Sequence, residues 1–287
     1  MTIKKSRRKV VTRSPKRKVG FVNCRWFQNE PIEHESELEK RFLHCAMLCP
    51  DVLKIKSQPF TLELGEKIYT PDFLVTFLSG ASLVVEVKIS RKVGAYLDTF
   101  NSAQEALGDM HKFFVLTEKV IDRLSQAEVA AQILRYAKSE FPAEMLHRVL
   151  QKGAELGTPY ISIADLASAS HVPTEAVLHL VARRCLTLHQ DDFVGPDSRV
   201  FLPMSACTAA HEIFSSHFEV LPWDPNDCIE PVHRKKPEPM RKRAAVSRLP
   251  LVRQRRANPT KPDAGALASV AGGLLVPVRK RRPGSSH

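Results

Sequence analysis

The sequence predicts an α/β domain followed by a smaller, mainly helical unit. Three observations carry that expectation. Apolar residues recur at helical spacing between residues 35 and 49. Apolar runs bounded by Gly, Pro and Ser then follow through residue 89, as strands do. A helix and one more strand come next, before a second block of helix signals begins near residue 140.

Taken in order, residues 1–18 read as a disordered basic arm. Residues 19–34 form a mixed lead-in with Phe21, Trp26 and Phe27. Glu35–Leu48 reads as a helix, because Leu38, Phe42, Cys45, Ala46 and Cys49 share one face. Ser36 followed by Glu39 has the form of a capping box. Residues 51–64 hold one or two strands, Ile68–Leu78 a strand, Ser79–Ser82 a turn and Leu83–Ile89 another strand. Gly94–Leu107 reads as helix, Lys112–Leu116 as strand and Glu118–Ala137 as further helix. Residues 19–138 thus make one α/β domain.

Residues 139–227 read as a winged-helix-like unit. Ala143–Leu156 is its first helix. Ser162–Ser168 and Thr174–Cys185 suggest a helix-turn-helix, with a two-stranded wing over Leu186–Leu202 around Gly195. The second of those helices offers only Arg183 and Arg184 as cations, beside Glu175, and the wing carries Asp191, Asp192 and Asp197. That pattern suits a protein partner better than a DNA groove. Residues 228–287 are rich in Pro and Arg and read as a disordered basic tail.

The composition bounds the function. With 287 residues and 43% apolar content the chain can bury two modest cores. No apolar run of about eighteen residues occurs, so no membrane contact is expected. The N-terminus lacks an apolar signal segment, so the expected location is cytoplasmic. The six cysteines include no Cys-x-x-Cys pair, and Cys45 and Cys49 read as small core residues. The net charge of +12 is unevenly placed. Residues 1–18 carry nine Lys/Arg and no acid, and residues 232–287 carry fifteen against two. Residues 19–231 are left with 19 basic and 29 acidic side chains. The body is acidic, and the tails suit DNA phosphates.

The chemistry-bearing segment is Tyr69-Thr-Pro-Asp72-Phe73, with Glu86-Val87-Lys88 fourteen residues further on. Glu86 and Lys88 are two residues apart, so a strand puts them on one face and aims Leu83, Val85, Val87 and Ile89 at a core. Charges in so apolar a run need a partner, and a divalent cation is one. Phosphodiester hydrolysis by metal ions calls for such carboxylates. Asp72 and Glu86 are the expected direct ligands, with the Val87 carbonyl as a third. Lys88 is expected to orient water or meet developing charge. Glu39 is expected to serve a second ion. The ions would be Mg²⁺, with Mn²⁺ as a substitute.

This arrangement makes a geometric demand. A two-residue turn pairing Ser79 with Ser82 would place Asp72 opposite Ile89, on the wrong face. An odd loop pairing Leu78 with Ser82 would place it opposite Lys88. An odd loop or a bulge is therefore expected. Pro-Asp and Glu-x-Lys are each common and alone fit a strand cap and a surface ion pair. Their order, the hairpin and the Glu39 helix together favour a metal site. His44, His111 and Ser36 have no such setting, and Gln58-Pro59 reads as the opening of a strand, with Gln58 facing the site as the less favoured alternative.

Ser36-x-Leu-Glu39, Gln58-Pro-Phe60, Tyr69-x-Pro-Asp-Phe73, Glu86-Val-Lys88 and Phe113–Ile121 resemble the TnsA endonuclease subunit of heteromeric DNA transposases. The resemblance spans about residues 20–122. It implies a restriction-endonuclease-like (PD-(D/E)xK) fold, with a winged-helix-like domain after it. It implies catalytic roles for Glu39, Asp72 and Lys88, with Glu86 where some members have Gln. It also implies Mg²⁺-dependent cleavage at the 5′ ends of a mobile element. The partners it implies are transposon-end DNA, a TnsB-like DDE transposase and a TnsC-like AAA+ regulator. A stand-alone restriction or repair endonuclease is the alternative expectation. Dependence of cutting on partner proteins separates the two.

Overall fold

Helix α1 begins where the sequence places its cap. Ser36 is extended (φ −147°, ψ 162°), and its Oγ accepts from the Glu39 N–H at 3.1 Å, so α1 spans Glu37–Leu48. The computed structural model of the chain describes residues 3–5, 18–189, 194–202 and 209–225, the first three by their backbone alone. Contacts group residues 1–231 into one unit. The expected tail, 228–287, lies outside the described residues.

Before α1 come β1 (Ile3–Lys5), β2 (Gly20–Val22) and β3 (Ile32–His34). After it come β4 (Val52–Ser57), β5 (Phe60–Leu64), β6 (Lys67–Tyr69), β7 (Phe73–Phe77) and β8 (Ser82–Val87). Then follow α2 (Ser90–Val93), a single 3₁₀ turn at Gly94–Tyr96, α3 (Leu97–Leu107), β9 (Lys112–Leu116), α4 (Glu118–Ile121) and α5 (Gln126–Tyr136). The protein is thus mixed α/β.

The central sheet has the order β4-β7-β8-β9, with the first three strands antiparallel and β9 parallel to β8. Strand alternation divides its side chains between two cores. Phe73, Val75 and Phe77 of β7 and Leu83, Val85 and Val87 of β8 join α1 and α5 on one side. Val84 and Phe113 join Phe100, Ala103 and Leu107 of α3 and Phe60 and Leu62 of β5 on the other. Both faces of β8 are therefore buried, not one. The run Leu83–Val87 is wholly enclosed, Glu86 included.

Several expectations are corrected. The single strand over Ile68–Leu78 is two. β6 pairs with β5, while β7 pairs with β4 and β8. The break falls at Thr70-Pro71, where proline lacks the N–H a ladder requires. Ile3–Lys5 of the expected disordered arm pairs with β5, whose edge would otherwise stay open. The helix over 94–107 forms only from Leu97. The helix over 118–137 is interrupted by left-handed Leu124 and Ser125 (φ 49° and 61°).

The β7–β8 hairpin has an odd loop, displaced by one pair from the expected register. Phe77 N–H donates to the Ala81 carbonyl at 2.9 Å, leaving Leu78, Ser79 and Gly80 as the loop. Gly80, at φ 83°, supplies the left-handed step this loop requires. Phe73 faces Val85 and Leu74 faces Val84, so Asp72 stands opposite Glu86 rather than Lys88. Asp72 thus keeps the face the expectation demanded, because its parity with Glu86 is unchanged.

Residues 143–201 run helix, strand, helix, helix, strand, strand. These are α6 (Ala143–Leu156), β10 (Ile161–Ser162), α7 (Ile163–Ala169), α8 (Thr174–Ala182), β11 (Thr187–Leu188) and β12 (Arg199–Phe201). β12 lies between β10 and β11 in a small antiparallel sheet. Asp191 and Asp192, placed in the expected wing, lie outside the described residues. Residues Ala176–Ala182 of α8 are buried throughout, against α5 among others. α9 (Ala210–Phe218) does not stay with this unit, although its residues were expected there. It returns to the first core, where Phe214 meets Phe114 at 4.8 Å and Phe218 meets Phe42 at 5.7 Å. Trp223 follows, donating Nε1–H to Asn101 at 2.9 Å. Among the described residues no helix is long and apolar enough to cross a membrane.

Candidate active site

The polar residues of the β7–β8 hairpin gather at its open end. Asp72 sits just before β7, and its Oδ2 accepts from the Val87 N–H at 2.8 Å. Glu86 is 2% exposed, and both its oxygens are engaged. Oε2 accepts from the Tyr69 hydroxyl at 2.7 Å, and Oε1 meets Lys88 Nζ at 2.6 Å. Lys88 Nζ also lies 4.7 Å from the centroid of the Tyr96 ring. The Glu86–Lys88 pair is thus held by tyrosines from two other elements.

Glu39 reaches the same neighbourhood from α1, but its carboxylate is tied to its own helix start. Oε2 accepts from the Glu35 N–H at 2.7 Å and Oε1 from the Ser36 hydroxyl at 2.8 Å. The capping box therefore fixes where Glu39 points. Each oxygen keeps acceptor capacity beyond that bond.

The electrostatics show how crowded these acids are. Burial, followed by the charges of Glu86 and Glu39, pushes the Asp72 carboxyl well above its usual range. Burial also raises Glu39, with Glu35 and Glu86 adding to it. Tyr69 is raised well above normal by burial and then by Glu86. For Lys88 burial works downward, but Glu86 and then Asp72 outweigh it and leave its pKa raised. Three acids converge with one ammonium between them.

Such a donor set is all oxygen and short of positive charge, which fits a hard divalent cation. Mg²⁺ takes one or two protein carboxylates and fills the remaining positions with water. Asp72 and Glu86 meet that requirement, and Val87, next after Glu86 in the chain, has its N–H on Asp72. Among the described residues no group of three or more His, Cys, Asp or Glu is placed to hold a metal ion.

Several residues here carried no expected role. Tyr69 is part of the motif, but nothing in its spacing says that its hydroxyl meets Glu86. Tyr96 lies eight residues beyond Lys88 and returns through the turn after α2. Glu118 anchors the start of α2 by accepting from Ser90 N–H at 2.8 Å and Ser90 Oγ–H at 2.5 Å. His44 and His111 stay outside the cluster; His111 Nδ1 donates to the Ser82 carbonyl at 3.1 Å.

The two arginines that follow α8 both meet aromatic rings. Arg183 lies over the Trp26 ring at 5.6 Å. Arg184 lies over Phe27 at 5.3 Å and donates to the Val52 and Cys49 carbonyls. No protein-family model matches the chain, and no curated protein matches it.

Proposed function

We propose that this protein is a metal-dependent DNA endonuclease. The observation that carries the reading is Asp72 standing opposite Glu86 on one sheet face, with Lys88 bonded to Glu86 and Glu39 beside them. With it we propose the finer fold reading: a restriction-endonuclease-like core over residues 19–138 and a winged-helix-like unit after it. The TnsA-like motifs support a place in a cut-and-paste transposase. There the chain would hydrolyse phosphodiester bonds at the 5′ ends of the element, beside a TnsB-like DDE transposase and a TnsC-like AAA+ regulator.

Asp72, Glu86 and the Val87 carbonyl would hold Mg²⁺, or Mn²⁺ in its place, with Glu39 completing the acidic wall. Bound there, the ion would neutralise phosphate charge and make water acidic enough to attack at neutral pH. Lys88 is kept protonated by Glu86 and Asp72, so it acts as a cation toward the phosphate rather than as a base. Tyr69 keeps Glu86 from turning away. The body around this site carries more acids than bases, and so repels DNA. That favours dependence on the basic tails and on partners.

The test is strand cleavage of transposon-end DNA with Mg²⁺, with and without the partner transposase. Asp72→Asn and Lys88→Met are expected to lose cleavage while keeping the fold and partner binding. Full 5′-strand cutting by either variant would defeat the catalytic roles of Asp72 and Lys88. Efficient cutting by the wild-type chain alone would favour a stand-alone restriction or repair nuclease.

A further inference from the structure

Gln58 links the two halves of the site, where the sequence favours a strand opening over a site-facing role. It lies between β4 and β5. Its backbone N–H donates to the Asp72 carbonyl at 2.8 Å. Its side-chain Nε2 donates to Glu35 Oε1 at 3.2 Å. Glu35 in turn donates its own N–H to Glu39. One residue thus ties the acid before β7 to the acid at the start of α1.

Two further facts are not explained by that tie. Gln58 has a φ of 41°, although it carries a Cβ and directly precedes Pro59. Neither feature favours a left-handed backbone, so the surrounding structure imposes it. In addition, Gln58 Oε1 is buried and has no hydrogen-bond partner. Its orientation is not arbitrary, because Nε2 is the end that can donate to the Glu35 carboxylate. A buried amide oxygen without a donor is costly, and a water or an ion would satisfy it.

From these facts we infer that Gln58 Oε1 is a neutral oxygen ligand of the divalent cation held by Asp72 and Glu86. Hard cations accept amide carbonyls alongside carboxylates. A neutral donor adds coordination without further crowding three acids that already repel one another. The inference rests on the metal-site reading above, and it adds a ligand from a strand end that the Asp and Glu-x-Lys motifs do not include.

The experiment titrates the full chain with Mn²⁺ in the absence of DNA, by calorimetry and by the electron paramagnetic resonance of free Mn²⁺. Gln58→Leu removes the oxygen at similar volume. It is expected to weaken Mn²⁺ binding roughly tenfold, the scale of losing one supporting group at a metal site. It also removes the Nε2–H bond to Glu35, so a modest fall in melting temperature without added metal is expected beside the loss of Mn²⁺ affinity. Gln58→Glu keeps an oxygen and is expected to retain binding. If Gln58→Leu misfolds, Gln58→Asn, which shortens the arm, decides the matter in its place and is expected to weaken binding. Wild-type affinity in Gln58→Leu, with binding lost in Asp72→Asn, would overturn the role of Gln58 alone. Unchanged binding in both would overturn the metal-site reading itself.

Discussion

Tyr69 donates its hydroxyl hydrogen to Glu86 at 2.7 Å, joining an edge strand of one sheet to the acidic strand of another. Glu86 is almost fully enclosed, so this bond and the Lys88 ammonium are what make its burial tolerable. Tyr69→Phe keeps the ring and removes only the donor. It is expected to lower stability by about 1.5–3 kcal/mol, the range for a bond to a charged group. Urea unfolding in the presence of EDTA checks this. An unchanged midpoint would mean that Glu86 finds another donor.

The cap of α1 serves both fold and site. Ser36 bonds to the Glu39 N–H and to its carboxylate. Ser36→Ala is expected to cost about 1 kcal/mol. It also frees one oxygen of Glu39, so Mn²⁺ binding should change along with stability. A loss of stability with identical Mn²⁺ binding would show that the cap does not set the position of Glu39.

The two arginines after α8 are expected to matter for stability. Arg184→Ala leaves the Cys49 and Val52 carbonyls without their donor and is expected to cost about 1.5–3 kcal/mol. Arg183→Ala removes a ring contact and is expected to cost about 0.5–1 kcal/mol. Gel-shift affinity for DNA should stay within about twofold of wild type in Arg184→Ala, since that guanidinium is bonded to the Cys49 and Val52 carbonyls. A large loss of affinity in Arg184→Ala would restore a groove-reading role.

The return of α9 to the first core is testable by truncating one side chain. Phe214 is fully buried against Phe114 and Phe218. Phe214→Ala is expected to cost about 3–5 kcal/mol. A cost below about 1 kcal/mol in a denaturant titration would show that α9 is dispensable to the core.

Acid should loosen this same region. His217 donates Nε2–H to the Cys45 carbonyl at 3.0 Å, and burial lowers its pKa from 6.5 to about 4. The folded protein therefore holds His217 neutral where the unfolded chain would protonate it. The unfolded state binds more protons between pH 6.5 and about 4, so stability falls as pH drops through that window. His34 and His44, also lowered by burial, act in the same direction, while Asp72 and Glu39, raised by burial, act against it. The His217→Gln variant isolates the effect. Its stability should fall less steeply than wild type across the window, as followed by thermal melts from about pH 7 to about pH 4. Parallel curves would exclude His217 as the source.

Much of the first half was legible because its signals are local. Ser36 and Glu39 announce the start of α1, and Ala143–Leu156 is helical over the residues its period marks. Strand parity alone required an odd loop between β7 and β8. Legibility failed where distant elements decide. Nothing near Tyr69 says that the strand breaks at Pro71 to pair with β5 instead of β7. Nothing near Phe214 says that its helix leaves the neighbouring unit for Phe114, a hundred residues earlier in the chain.

The sequence by itself determined which residues bear charge amid apolar runs, Asp72, Glu86 and Lys88, and that alternation along each strand would put the last two on one face. Only the tertiary structure decided the register that sets Asp72 opposite Glu86, the tyrosines that hold the Glu86–Lys88 pair, and the left-handed Gln58 beside Asp72. The physical reason is range. Helix caps and strand parity act over a few residues, whereas register, buried hydrogen bonds and raised carboxyl pKa values exist only once separate segments exclude water from one another.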